Sequence, residues 1–223
     1  MHSSRFESTN ALKGIEISAT LTPMEPKTFI FIGRSGCGKG TQASLLIDDY
    51  ARQGQPSYRI ESGAMFRSFI VEDGYTNRLA RTILERGELQ PEFLSIWVWS
   101  NIFIRDLQDP TEHLVLDGMP RRYHETPVLD SALDFYGRNE RYVLYLNVSR
   151  EWSQTRLRER KRGDDLDEYI QKRLDWFDTE VVKVLDFYIK NSKYRFLEIN
   201  GEQTIEQVHT DIADAVKKNA TKK

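Results

Sequence analysis

The sequence predicts an α/β fold with a parallel sheet, and three observations carry that reading. Five short runs, at about 28–32, 58–60, 112–117, 141–148 and 194–199, read as strands. Helical patterns separate them, so the strands follow one another through crossovers and run parallel. The first run enters a loop with glycine at 33, 36, 38 and 40 and then a helical stretch, which places a ligand at the carboxyl ends of the strands.

Phe29-Ile30-Phe31-Ile32 is the first strand, apolar on both faces as a central parallel strand must be. The loop after it, Gly33 to Lys39, meets the pattern G-x-x-x-x-G-K of a phosphate-binding loop, but Gly40 stands where the hydroxyl residue belongs and Thr41 supplies the hydroxyl one position later. In such a loop backbone N–H groups cradle phosphate oxygens, the following helix adds its positive end, and Lys39 reaches the outer phosphates. The helix carries Leu45, Leu46 and Ile47 and ends near Gly54. After the strand at 58–60, the chain reads as helical pieces broken at Gly74, Gly87 and Pro91, an insertion on the sheet. The strand at 112–117 closes on Asp117, where a carboxylate is placed to hold Mg²⁺ directly or through water; taken alone, it could equally be a turn residue before Gly118. Leu166, Ile170, Leu174, Phe177, Val181, Leu185 and Tyr188 form a helical stripe, and Ile205, Val208, Ile212 and Val216 mark a final helix.

Bulk composition narrows the function. A chain of 223 residues fits one domain with small insertions. Its net charge of -2 with 30% charged residues argues against a nucleic-acid binder, and no apolar run approaches the ~20 residues of a membrane span. Cys37 is the sole cysteine, which excludes an intrachain disulfide and a cysteine-rich zinc site. Residues 1–26 lack a basic start followed by an apolar block, so no secretory signal is expected and the segment reads as a flexible arm. A cytoplasmic monomer is the expectation.

Cationic residues collect in the same regions. Arg121 follows Asp117-Gly118-Met119-Pro120, Arg67 closes Ser62 to Arg67, and Arg156 to Arg162 runs into Gly163-Asp164-Asp165, with Lys172-Arg173 beyond. Each alone is compatible with a solvated face. Together they suit phosphoryl transfer, which depends on positioning and charge neutralisation.

With these motifs in order, the chain resembles the adenylate kinase and nucleoside monophosphate kinase family over about residues 27–218. The carriers are Gly33-Arg34-Ser35-Gly36-Cys37-Gly38-Lys39-Gly40-Thr41-Gln42, Glu61 to Arg67, Gly87-Glu88-Leu89-Gln90-Pro91-Glu92, Leu114 to Arg121, and Arg156 to Arg173. The resemblance implies a three-layer α/β/α fold of the P-loop NTPase type with about five parallel strands, a helical monophosphate-binding insertion at 63–107, a short lid at 156–165 and a tail at 219–223. It implies that ATP and a nucleoside monophosphate, AMP first, are the substrates, with Mg²⁺ and no zinc. Ser35, Gly36, Cys37, Gly38, Lys39, Gly40, Thr41 and Arg156 would hold ATP, and Thr41 and Asp117 would lie near Mg²⁺. Ser62, Gly63, Arg67, Gly118, Arg121, Glu125, Arg162 and Arg173 would hold the monophosphate. Lys39, Arg121, Arg160, Arg162 and Arg173 would act on the phosphates being transferred.

The chain departs from the family pattern at four places. Ser35 replaces a proline, Ala64 replaces an aspartate, only Lys161 separates Arg160 from Arg162, and Glu125 stands in place of a base-reading glutamine. Glu125 either reads the base or points to solvent. Ala64 and the short lid favour a nucleotide-binding regulatory protein without turnover; Lys39, Arg67, Asp117, Arg121 and Arg173 favour an enzyme. Kinases for GMP, CMP or UMP are the other readings.

Overall fold

The computed structural model describes residues 25–160 and 166–220. Five strands, β1 (Lys27–Gly33), β2 (Ser57–Glu61), β3 (His113–Asp117), β4 (Glu140–Asn147) and β5 (Tyr194–Asn200), form one sheet in the order β2-β3-β1-β4-β5. All four pairings are parallel. The fold is the expected three-layer α/β/α arrangement.

Alternation along each central strand feeds both helical layers. Phe29 and Phe31 of β1, with Val115, Tyr142 and Leu144, pack against Ala43, Leu46 and Tyr50 of α1 (Lys39–Arg52) and Val208, Ile212 and Val216 of α9 (Ile205–Ala220). Ile30 and Ile32, with Leu114, Leu116 and Val143, face the other way. They meet Trp99 and Phe103 of α4 (Glu92–Asp106), Leu129 and Leu133 of α5 (Glu125–Phe135), and Val184, Leu185 and Tyr188 of α8 (Val182–Lys190). Side chains buried this completely contribute about 1.5–3 kcal/mol each.

The block between β2 and β3 is helical: α2 (Ser62–Phe69), α3 (Tyr75–Glu85) and α4. It has its own small core of Phe66, Ala80, Leu94 and Val98. On the same helix, Trp99 and Phe103 belong to the sheet core, so α4 joins the insertion to the body.

Beyond β4 come α6 (Arg150–Arg160) and α7 (Asp167–Trp176), paired through Leu157, Ile170 and Leu174. The expected stripe from 166 to 188 needs one correction. Leu166 is the extended N-cap of α7, is exposed, and lies outside the stripe; the other six residues are buried. A π-helical turn at Phe177–Val181 links α7 to α8 and keeps both its end residues in the core. Among the described residues no helix is long and apolar enough to cross a membrane.

Candidate active site

A cleft of about 680 Å³ lies at the carboxyl ends of β1, β2 and β3. Its floor is the glycine-rich loop. Gly38, with φ of 95°, is the left-handed N-cap of α1, a conformation that costs an L side chain dearly. Gly36 has φ of 85°, which strains any L side chain, and a Cβ there would lie 3.1 Å from the Ser153 carbonyl oxygen and from Leu157, so glycine lets α6 sit close to the loop. The first amides of α1 have no carbonyl within the helix to pair with and are therefore open to an anion. Ser35, Gly36, Cys37, Gly38, Lys39, Gly40 and Thr41 all line the cleft. Lys39 Nζ donates to the Gly33 and Arg34 carbonyl oxygens at 2.7 and 2.9 Å, which folds the ammonium against the loop.

The opposite wall is built by β2, β3 and the segments that leave them. Ser62 Oγ donates to the Gly118 carbonyl oxygen at 2.6 Å; Arg121 donates to the same oxygen through Nε at 2.7 Å and to Ser62 Oγ through Nη2 at 3.2 Å. Gly63 lies beneath two guanidiniums: a Cβ there would stand 3.1 Å from Arg67 Nη1 and 3.9 Å from Arg121 Nη2. Arg173 is buried and faces the same cleft. Burial, Arg173 and Arg67 all act to lower the pKa of Arg121, while Glu125 and Asp117 oppose them. Like charges gathered this closely leave an attractive place for a doubly charged phosphate.

Glu125 is the first residue of α5, only 3% exposed, and lines the cleft. The solvent-facing alternative is therefore excluded. Burial pushes its carboxyl up to about 7, against the pull of the Arg121 charge and of the Arg121 and Arg122 amides. Ala64, by contrast, is exposed and takes no part in the cleft wall.

From the lid side, Arg156 and Arg160 of α6 reach the cleft, and the Arg156 guanidinium lies 4.9 Å from the centre of the Trp152 ring. Arg162, expected to act on phosphate and to touch the monophosphate, lies outside the described residues.

Asp117 is buried at the end of β3, facing Gly40 across the cleft floor, and Thr41 lines the same space. Among the described residues no group of three or more His, Cys, Asp or Glu side chains forms a metal cage. One carboxylate beside phosphates is nevertheless the donor set that magnesium accepts, because it keeps waters and phosphate oxygens as its other ligands. The site fits that ion.

Several cleft residues were not anticipated. Trp176 stacks under Arg121 with 5.6 Å from guanidinium carbon to ring centre. Gln90 anchors the insertion by donating to the Ala80 carbonyl oxygen at 2.8 Å. Arg59 donates to Asp117 at 2.5 Å.

Comparison with known proteins agrees with this geometry. The family model described as adenylate kinase matches residues 31–193. The adenylate kinase of Parabacteroides distasonis is 30% identical over 191 residues, covering 84% of this chain and 96% of its own length. That of Bacillus subtilis is 27% identical over 216 residues, covering 83% and 95%; that of Bacteroides thetaiotaomicron is 28% identical over 193 residues, covering 85% and 97%. On the family match and the extent of these relatives, the chain belongs to the adenylate kinase family.

Proposed function

We propose that this protein transfers the γ-phosphoryl group of ATP to AMP, giving two ADP. The observation that carries the reading is the pairing, across one cleft, of an anion-binding loop headed by Lys39 with a three-arginine cluster of Arg67, Arg121 and Arg173. Two phosphate sites facing each other are what direct, in-line transfer between two nucleotides requires.

In this scheme the loop amides and Lys39 hold the donor phosphates, with Arg156 against the donor base. Arg67 and Arg121 hold the acceptor phosphate, while Ser62, Gly63 and Gly118 fix the backbone behind it. Arg160, Arg162 and Arg173 neutralise charge on the phosphoryl group in flight. No side chain is needed as nucleophile, because the acceptor phosphate oxygen attacks phosphorus directly. Magnesium, held near Asp117 and Thr41, would supply further neutralisation of the phosphate oxygens when bound. The insertion at 63–107 and the lid at 156–165 would close over the substrates and exclude water. The same reading has the protein acting as a cytoplasmic monomer, with neither nucleic acid nor membrane as partner.

Glu125 supports a second acceptor. Guanine offers two donors, N1–H and the 2-amino group, to an ionised carboxylate, whereas adenine offers one donor and one acceptor. A coupled assay with ATP and AMP, GMP, CMP or UMP in turn tests both. AMP is expected to be the best acceptor, and turnover with GMP alone would transfer the proposal to that base. ATP binding without turnover on any acceptor would instead support a regulatory protein.

A further inference from the structure

Arg59, near the carboxyl end of β2, is a cation that the scheme above does not use. Arg59 and Glu61 share a face of β2, and their neighbours on β3 are Val115 and Asp117. Arg59 Nη2 donates to Asp117 Oδ2 at 2.5 Å and lies 3.3 Å from Glu61 Oε2; Nη1 donates to Ser44 Oγ of α1 at 3.0 Å. Arg67 Nη2 holds the other Glu61 oxygen at 2.9 Å. Four charges thus alternate along the cleft edge, Arg67–Glu61–Arg59–Asp117, from the acceptor's arginine cluster to the carboxylate suited to magnesium.

The guanidinium also sits over the floor of the donor site. A Cβ added at Gly40 would be 3.2 Å from Arg59 Nη2 and 3.5 Å from Asp117 Oδ2. The space in which a side chain at position 40 would project is therefore taken by the Arg59–Asp117 pair. A guanidinium cannot lose its proton in a protein, so this positive charge is permanent. It engages one oxygen of Asp117, repels a dication placed beside that carboxylate, and attracts the phosphates of ATP.

We propose that Arg59 is a positioning residue that shares Asp117 with magnesium, so that this chain holds the ATP phosphates partly with a fixed cation and gains less from the metal. The proposal rests on the phosphoryl-transfer reading. A purely structural role, bolting β2 to α1 through Ser44, would leave the contribution of the metal to ATP binding unchanged.

The test is calorimetric titration of ATP into the wild type and Arg59→Gln, in magnesium and in EDTA. Loss of the charge should weaken metal-free ATP binding about tenfold, a change of about 1.4 kcal/mol, and should enlarge the affinity gain on adding magnesium severalfold. Arg59→Lys keeps the charge without the fork, and should stay within about threefold of the wild type in EDTA. An equal loss in both buffers, or none in either, overturns the proposal. Should Arg59→Gln fail to fold, as read from its thermal transition, the Lys variant decides: a large EDTA-specific change there overturns the idea, while retained metal-free binding supports it. A wild type that binds no ATP in either buffer overturns the phosphoryl-transfer reading instead.

Discussion

Arg121 Nη2 donates to Ser62 Oγ at 3.2 Å, joining two positions separated by 59 residues of chain. Ser62 in turn donates to Gly118, three residues before Arg121, so the segments leaving β2 and β3 are tied into one rigid wall. The wall presents a guanidinium whose Nε is committed to Gly118 and whose Nη2 reaches Ser62, and the rest of its five-donor fork serves an anion.

Arg121→Lys should therefore weaken the acceptor selectively. A charge-assisted hydrogen bond contributes about 1.5–3 kcal/mol, so KM for AMP should rise roughly ten- to hundredfold while ATP affinity changes little. Steady-state kinetics with each substrate varied in turn checks this. Equal effects on both would mean that Arg121 serves the wall rather than the phosphate.

Lys39→Met should lower kcat by roughly 10²–10³, the usual cost of removing one donor to developing phosphate charge. The fold should survive, because among the described residues the ammonium donates to loop carbonyls and the Cys37 sulfur. Single-turnover rates, alongside a thermal melt, separate the two effects.

The buried carboxyl of Glu125 makes stability depend on pH in an unusual direction. Its folded pKa, about 7, lies above the ordinary 4.5, so the folded state binds the extra proton between these values. By linkage, stability falls as pH rises from about 4.5 to 7, by roughly 3 kcal/mol in total. Glu125→Gln removes this term, and its stability relative to the wild type should improve from pH 5 to pH 8 in denaturant titrations. Below pH 7 the protonated acid, like a glutamine amide, offers adenine both a donor and an acceptor. Efficiency with AMP relative to GMP should therefore decline above pH 7 in the wild type and stay level in Glu125→Gln.

β1, β3 and β4 were legible because a central parallel strand is buried on both faces and reads as an apolar run. The edge strands β2 and β5 carry charged residues such as Arg59 and Glu198 and were legible as short segments between helical patterns. Their ends differ from the expected ones by a residue or so, where pairing rather than hydrophobicity sets the boundary. α5 went unread, although Glu125, Leu129 and Leu133 are buried at helical spacing. The loop, Asp117 and the arginines could be read because phosphate chemistry restricts residue type and order. Arg59 could not be read in the same way, since its role depends on Asp117, 58 residues away and adjacent only in the sheet. Leu166 misled because an N-cap can continue an apolar spacing while lying outside the helix.

Closure is the next expected outcome. Arg67 stands on α2, Arg121 beyond β3, and Arg156 and Arg160 on α6, so converging on one phosphate chain requires separate segments to move together. A phosphate-linked ATP–AMP analogue should reduce the radius of gyration in solution scattering and slow amide exchange at 155–165. An unchanged radius and exchange pattern would count against a closing lid.

The most direct measurement follows the phosphoryl group itself. With γ-labelled ATP, AMP and magnesium, label should appear at the β-position of ADP, in step with formation of two ADP per ATP consumed, and Lys39→Met should slow its appearance. Label released only as inorganic phosphate, or retained in ATP, would contradict direct transfer to AMP.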